Sequence, residues 1–213
     1  MTETMEPALT IDPASPPRHS HATVPTQFVA ANGFNTRIDA SVPSPARHRY
    51  SCSISRGGGM DHWDPALTDG LAANRPVILL DNTGVAGSSG QTPDTVEAQA
   101  DNAAAFIRAL GHTQVDVLGF SIGGYVAQAL ALRHAELLRR LVLVGTKPRA
   151  GDDRDRHPDV IYVATRNEVL SLEDFRFLFF VPSQTSQAAG ERFWERRHQR
   201  TMDVDPPTSK QSM

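Results

Sequence analysis

Three short apolar runs alternate with helical segments in the middle of the chain, and this alternation limits the possible folds more than any other feature. The runs cover residues 76–80, 115–120 and 141–144. A strand without polar alternation has to be covered on both faces, as a parallel strand between two layers of helices is. Strands and helices that alternate at short spacing form βαβ units. The sequence therefore predicts an α/β fold with a mostly parallel sheet flanked by helices.

Helix signals fill the gaps between the runs. The stretch Asp61-His62-Trp63-Asp64-Pro65 predicts one helix start. Thr92 with Pro93 predicts the next, because Thr92 suits the cap and Pro93 the first helical position. A third helix is predicted over 122–134. The first helix has an apolar stripe of Trp63, Leu67 and Leu71, and the second has one of Val96, Ala100, Ala103, Ile107 and Leu110.

The two ends of the chain differ from this middle part. Residues 1–25 are rich in Pro, Ser, Thr and His and are predicted to be a disordered tail. Asn32-Gly33 between two short strands predicts an antiparallel hairpin. We therefore assign residues 26–150 to an α/β core, 151–205 to a partial helical cap with aromatic clusters, and 206–213 to a loose tail.

Composition excludes several classes of function. The chain has 213 residues and a formal net charge of −3, which gives no sign of a nucleic-acid-binding surface. Its single cysteine, Cys52, allows neither an internal disulfide nor a thiolate metal site. No apolar run of about 18 residues suggests a membrane span, and the N-terminus lacks a secretory signal. We expect a cytoplasmic protein without metal or cofactor.

The sequence Gly119-Phe120-Ser121-Ile122-Gly123 joins an apolar strand to a helix. This G-x-S-x-G pattern in that setting predicts a nucleophile elbow, with Ser121 as the catalytic nucleophile. Gly119 and Gly123 would avoid side-chain clashes across the turn, and the N–H of Ile122 would donate to a substrate oxyanion. The alternative is a glycine-rich turn whose serine only caps the helix.

Three stretches of residues 60–150 are distinctive when taken together: Met60-Asp61-His62-Trp63-Asp64-Pro65, the loop at 81–90, and the elbow with the strand after it. Together they resemble the α/β-hydrolase superfamily, near its esterase and cofactor-free haloperoxidase-like members. The resemblance implies hydrolysis of an apolar, ester-like small molecule through an acyl-Ser121 intermediate, without a cofactor. We interpret His62 as a surface histidine at the helix start rather than as a ligand.

In this superfamily the serine is followed by an acid and then by a late histidine, and no such pair is evident here. His134 ends the helix that begins at Ser121, about 18 Å away at 1.5 Å per residue. His157 lies in a charged loop and His198 on a basic helix, where solvated surface positions are expected. A charge run at 152–155 is also typical of a solvated loop. We therefore expect an incomplete triad and a fold truncated after the cap region.

Residues 43–59 interrupt the resemblance. The family would place its third, central strand here, followed by a donor to the oxyanion, but the chain offers Ser51-Cys52-Ser53-Ile54-Ser55-Arg56. At best, Tyr50 to Ile54 alternates like a half-exposed strand. We expect the central strand of the family to be lost, with Gly57 as a weak candidate for the missing donor. A compensated reading-frame shift or a misplaced gene model would explain the break, and sequencing the locus tests this hypothesis.

Three functions therefore stay open from the sequence: a serine-dependent hydrolase, a catalytically inactive remnant, and a binding module that uses the scaffold without chemistry. The oligomeric state is open as well. The strand at 141–144 is expected to form an exposed apolar edge, and such edges promote aggregation. Poor solubility or a need for a completing partner is the physical consequence.

Overall fold

The computed structural model describes residues 20–41, 51–54, 59–73, 75–148, 158–167, 169–201 and 203–204. Its strands are β1 (Thr26–Ala31), β2 (Phe34–Ser41), β3 (Ser51–Ile54), β4 (Val77–Leu80), β5 (Val115–Phe120) and β6 (Leu138–Val144). Its α-helices are α1 (Pro65–Ala72), α2 (Val96–Ala109), α3 (Ile122–Arg133), α4 (Pro158–Arg166), α5 (Leu172–Phe179) and α6 (Gln184–Arg197). Short 3₁₀ turns lie at Met60–His62 and Ala135–Leu137.

The six strands form one sheet in the order β1-β2-β4-β3-β5-β6. The first two pairs, β1 with β2 and β2 with β4, are antiparallel, and the remaining pairs are parallel. The β1–β2 turn has positive φ at Asn32 (51°) and Gly33 (80°), which the twist of a two-residue hairpin requires. The predicted α/β class and the predicted hairpin are both confirmed.

The expected loss of the central strand is wrong. Strand β3 lies between β4 and β5 and runs parallel to both, with Cys52 paired to Ile78 on one side and to Val117 on the other. Backbone N–H and C=O groups form these ladders whatever the side chain is, so a segment rich in serine can still occupy the position. The candidate donor Gly57 lies outside the described residues.

The core is divided between the two faces of the sheet. On one face Ile78 and Val117 pack against α2 and α3, chiefly through Phe106, Ile107 and Leu130. On the other face a smaller cluster joins Val77, Leu79 and Leu118 to Met60 and Trp63. All four residues of β4 are buried, as a strand covered on both faces requires.

Two details of the predicted helices need correction. Helix α1 begins within the predicted stretch 61–65, where the Asp64 carboxylate accepts a hydrogen bond from the Ala66 N–H, but Leu67 of its supposed buried stripe is exposed. Helix α2 begins at Val96 with Thr95 as its cap, and not at Thr92. The Thr92 hydroxyl instead donates to the Gly84 carbonyl, so Thr92 closes the 81–90 loop.

The chain before β1 is packed from Ser20 onward, although the sequence places residues 20–25 in the disordered tail. His21 and Val24 are buried, and both of their carbonyls accept hydrogen bonds from the guanidinium of Arg200. Residues 1–19 and 206–213, the rest of the two predicted tails, lie outside the described residues. Arg200 thus ties the two ends of the described chain together.

Helices α4, α5 and α6 agree with the predicted helical segment after the core. Phe175 lies at the centre of their packing, stacked on Phe193 at 5.0 Å and within 5.7 Å of the Trp194 ring. A capping box of Ser171 and Asp174 begins α5. The aromatic clusters seen in the sequence are therefore in part the packing core of the cap.

Strand β6 forms an open edge of the sheet, as expected. Leu141, Val142, Leu143 and Val144 are each between 37% and 47% exposed. Unpaired N–H and C=O groups beside apolar side chains favour pairing with another strand. Among the described residues, no helix has both the length and the apolar character needed to cross a membrane.

We predict that Val142→Lys raises the solubility of the chain, because a charge on an edge strand opposes strand-to-strand association. Light scattering at increasing protein concentration should show aggregation slowed several-fold. The matched control is Leu132→Lys, since Leu132 is 87% exposed on helix α3 and away from the edge. Equal effects of the two lysines would refute a role of the β6 edge.

Candidate active site

Ser121 lies in the turn between β5 and α3 with φ 51° and ψ −121°. This backbone conformation is unfavourable for a residue with a side chain and persists only where the surroundings enforce it. Two hydrogen bonds do so here: the Ser121 N–H donates to the Val144 carbonyl at 2.9 Å, and the Gly124 N–H donates to the Ser121 carbonyl at 3.0 Å. The geometry is that of a nucleophile elbow, and the Ser121 side chain does not cap the helix.

Close contacts explain the glycines of the turn. A Cβ at Gly119 would lie 2.7 Å from the Gly123 carbonyl oxygen and 2.8 Å from the Gly124 Cα. A Cβ at Gly124 would lie 2.5 Å from the Thr146 side chain. Gly119 and Gly124 therefore let α3 approach the sheet closely. Gly123, which the sequence also assigned to the elbow, is buried within the first turn of α3.

Ile122 is the first residue of α3. The N–H groups of a first helical turn have no partner within the helix and carry partial positive charge. The Ile122 N–H therefore stays a candidate oxyanion donor. The second candidate donor, Gly57, cannot be placed.

The loop at 81–90 has a structural role that the sequence alone did not reveal. The buried Asp81 carboxylate accepts hydrogen bonds from the Met60 N–H at 2.7 Å and the Gly87 N–H at 3.3 Å. The Ser88 hydroxyl donates to the Asp81 carbonyl. Asp81 thereby connects β4 to the 3₁₀ turn Met60–His62, which packs beside the elbow.

A histidine–carboxylate pair does occur, but at the wrong end of α3. His134 Nε2 lies 2.8 Å from Asp101 Oδ1, and Arg133 also binds this carboxylate. Hydrogen bonds from Arg133 and then His134 lower the pKa of Asp101 to about 2. The pair joins α3 to α2, so His134 is a structural residue rather than a solvated one.

His198, for which the sequence predicts a solvated surface position, is not brought to Ser121 either. His198 is exposed, and its ring lies 4.6 Å from that of Trp194. His157 and the acidic run at 152–155 lie outside the described residues. In the part of the chain that the structure describes, no histidine or carboxylate forms a hydrogen bond with the Ser121 side chain, and no cluster of His, Cys, Asp and Glu could hold a metal ion.

His62 is not the surface histidine expected from the sequence. Burial, followed by the charge of Arg197, lowers the pKa of His62 to about 4, so the imidazole is neutral at pH 7. The neighbouring Trp63 is buried, and its ring centroid is 6.2 Å from that of Phe120, the residue before Ser121. The 3₁₀ turn Met60–His62 therefore lies beside the turn that contains Ser121. Sequence reasoning missed this because a histidine at a helix start is usually solvated.

An open depression of about 260 Å³ lies between β4 and α2. Its lining includes Thr36, Asn82, Gln99 and Asn102, and none of the elbow residues belongs to it. We assign it no part in the chemistry of Ser121.

The cap is joined to the core by a two-point ion pair. Arg196 of α6 donates from Nε and from a terminal nitrogen to the two carboxylate oxygens of Asp64, at 2.8 and 2.7 Å. Paired planar groups of this kind fix orientation as well as distance. The same hydrogen bond from Arg196 lowers the pKa of Asp64 below its usual value.

We predict that Gly119→Ala destabilises the fold by roughly 1–3 kcal/mol, the usual cost of overpacking. Urea unfolding measures this loss of stability, which arises because the turn has to shift to make room for the added methyl group. Gly70→Ala is the control, since a Cβ there meets nothing within 4 Å. A Gly119→Ala variant as stable as the Gly70→Ala variant would contradict the packing argument.

We predict that Asp64→Asn lowers the thermal unfolding midpoint at pH 7 and has little effect in acid. The folded-state pKa of Asp64 is depressed, so its stabilisation is complete above the usual carboxylate pKa of about 4 and disappears as pH falls through the depressed value. Asparagine still caps α1, which isolates the ion pair. The exposed Asp94→Asn is the control, and a pH-independent effect of Asp64→Asn would count against the mechanism.

Comparison with known proteins agrees with this geometry. The chain resembles a solved α/β-hydrolase fold protein from Chitinophaga pinensis, with 37% identity and a TM-score of 0.82 over 91% of this chain and 70% of that one. A curated relative, the putative carbamate hydrolase RutD of Rhizobium rhizogenes, is 27% identical over 66% of this chain and 54% of its own length. The pimeloyl-[acyl-carrier protein] methyl ester esterase of Neisseria meningitidis is 37% identical over 54% of this chain and 35% of its own.

The chain thus spans about half or less of the length of these two curated relatives. The family model for the α/β hydrolase fold matches residues 55–206, which is more than half of the chain. The strand–serine–helix turn lies within this range. The chain belongs to the α/β-hydrolase fold family.

Proposed function

We propose that the protein is a serine-dependent hydrolase that cleaves an ester or a similar acyl substrate through an acyl-Ser121 intermediate. The observation that carries the proposal is the strained backbone of Ser121 at the carboxyl end of a parallel strand. Ligands of α/β sheets bind at this edge. Strain of this kind is kept at functional sites because it serves the chemistry there.

The chemistry follows from the position of the hydroxyl group. The Ser121 Oγ forms a bond to the acyl carbon as its proton leaves to a base, and the carbonyl oxygen becomes an oxyanion. The Ile122 N–H would stabilise that oxyanion, and one such donor contributes about 3–4 kcal/mol to the transition state. The bond between the acyl carbon and the leaving alcohol oxygen then breaks, and that oxygen takes the proton from the base. Water next gives a proton to the base and attacks the acyl carbon, and the bond to the Ser121 Oγ breaks as the Oγ takes that proton back.

The names of the relatives support acyl chemistry without fixing a substrate. One is described as a putative carbamate hydrolase and another as a methyl ester esterase, and both names describe cleavage at a carbonyl. Each of these proteins is longer than the region matched, so their substrates are not transferred to this chain. We propose a mostly apolar substrate, because the exposed Phe120 and the buried Trp63 lie beside the elbow.

A catalytically inactive protein is the second candidate. The observation that favours it is the lack of a hydrogen bond from Ser121 to a histidine or carboxylate among the described residues. Without a base, the hydroxyl stays protonated and reacts slowly. The turn would then persist as a packing feature of β5 and α3. No specific observation favours a binding module.

We predict that the wild-type protein forms a covalent adduct with a fluorophosphonate probe and that Ser121→Ala abolishes it. Intact-mass measurement detects the adduct, and peptide mapping locates it. Turnover of a short-chain nitrophenyl ester should fall by at least about 10³-fold in the same variant, since the covalent route is lost. Ser186→Ala, in helix α6, is the control and should behave as wild type.

The outcomes separate the two candidates. Labelling at Ser121 together with turnover supports the hydrolase. Labelling no faster than that of Ser121→Ala supports the inactive protein. Ester turnover that survives Ser121→Ala excludes the proposed mechanism.

A further inference from the structure

The seam between helix α6 and the 3₁₀ turn Met60–His62 has more positive than negative charge. Arg196 is paired with Asp64, and Arg200 lies 3.6 Å from the Asp61 carboxylate. A third guanidinium, that of Arg197, is close enough to His62 and Asp61 to interact with them electrostatically, and it has no hydrogen bond or ion pair in the described part of the chain. Among the described residues, this seam therefore contains two carboxylate groups, those of Asp61 and Asp64, and three guanidinium groups.

Arg197 is half-buried as well as unpaired among the described residues. Its guanidinium lies over the Trp194 ring at 4.8 Å and near the Phe175 ring at 5.9 Å. Burial lowers the pKa of Arg197 from its ordinary value, and Asp61 offsets this only in part. A desolvated guanidinium without a carboxylate partner is costly, and an added anion would remove that cost.

Two polar groups of the consecutive residues His62 and Trp63 also have no hydrogen-bond partner in the described part of the chain. The indole Nε1 of Trp63 and the imidazole Nδ1 of His62 are both buried without a hydrogen bond. Trp63 is only 5% exposed, and an indole N–H can only donate. His62 is uncharged at neutral pH, so it adds no further positive charge. A neutral imidazole can still carry its hydrogen at Nδ1 and donate a hydrogen bond from there.

The seam is also close to the nucleophile. Trp63 contacts Phe120, and Phe120 immediately precedes Ser121. A molecule bound to the Trp63 indole would therefore be separated from the turn at Ser121 by about one side chain, that of Phe120. A group bound there could belong to the same substrate whose acyl carbon faces Ser121.

We propose that Arg197, with the indole N–H of Trp63 and the imidazole of His62, binds a carboxylate carried by the substrate. The preferred substrate is then an ester whose acyl part carries a second, free carboxylate. This step deepens the proposed hydrolase function and rests on it. Guanidinium and carboxylate groups match in planar, two-point geometry, whereas an amide of the same shape lacks the charge.

The test uses binding of simple ligands and needs no turnover. Butyrate and butyramide are titrated into the full chain labelled with ¹⁵N, and the indole N–H signals of the two tryptophans are followed. A Trp194→Phe variant assigns the Trp63 signal. We expect butyrate to shift the Trp63 signal in a saturable way and butyramide to leave it unchanged.

Variants then test the role of Arg197. Arg197→Met keeps an unbranched stem against the Trp194 ring and should weaken butyrate binding at least about tenfold, as loss of a charged hydrogen bond does. Arg192→Met removes an exposed charge from the same helix and should leave the affinity unchanged. Equal affinities of the two variants would overturn the proposal.

The titrations of the wild-type protein with butyrate and butyramide test the proposal even if a variant fails to fold. A Trp63 signal that ignores butyrate, or that responds alike to butyrate and butyramide, overturns the carboxylate site. Such a result leaves labelling of Ser121 unaffected, so the hydrolase proposal is judged separately. Conversely, butyrate binding without covalent labelling of Ser121 would support the carboxylate site and refute the proposed hydrolase function.

Discussion

The close approach of helix α3 to strand β5 is the constraint on which the rest of the structure depends. Gly119 and Gly124 leave no room for a Cβ, so the helix packs directly on the strand and on Thr146. The chain can turn between them only through the strained Ser121 backbone. Placement of the hydroxyl, the helix N-terminus and the end of β6 all follow from this one contact.

Much of the fold could be predicted because its signals are local. The continuous apolar run of β4, the glycine pattern around Ser121 and the turn at Asn32-Gly33 each specify their structure from a few neighbouring residues. Strand β3 could not be predicted in the same way. Its side chains give no apolar signal, and its position depends on the ladders that β4 and β5 offer from distant parts of the chain.

The residues of the candidate site also differ in whether the sequence around them was enough to predict their role. Ser121 and Ile122 were predictable from the motif, because motif and turn are the same residues. The seam at His62, Trp63 and Arg197 was not, since it joins residues more than a hundred positions apart. A basic pair at the end of a helix looks like a solvated surface in the sequence. Only the packing of α6 against the 3₁₀ turn shows that Arg196 has a partner there and Arg197 does not.

Arg200 has a consequence for how the chain folds. Its guanidinium joins the carbonyls of His21 and Val24, and it also donates to the Thr26 hydroxyl. These contacts span more than 170 positions, so they form only after residue 200 has left the ribosome. Loop closure over such a distance is slow compared with local packing. The first strand therefore stays without this clasp until residue 200 has been made, and the two ends of the described chain become fixed in one event.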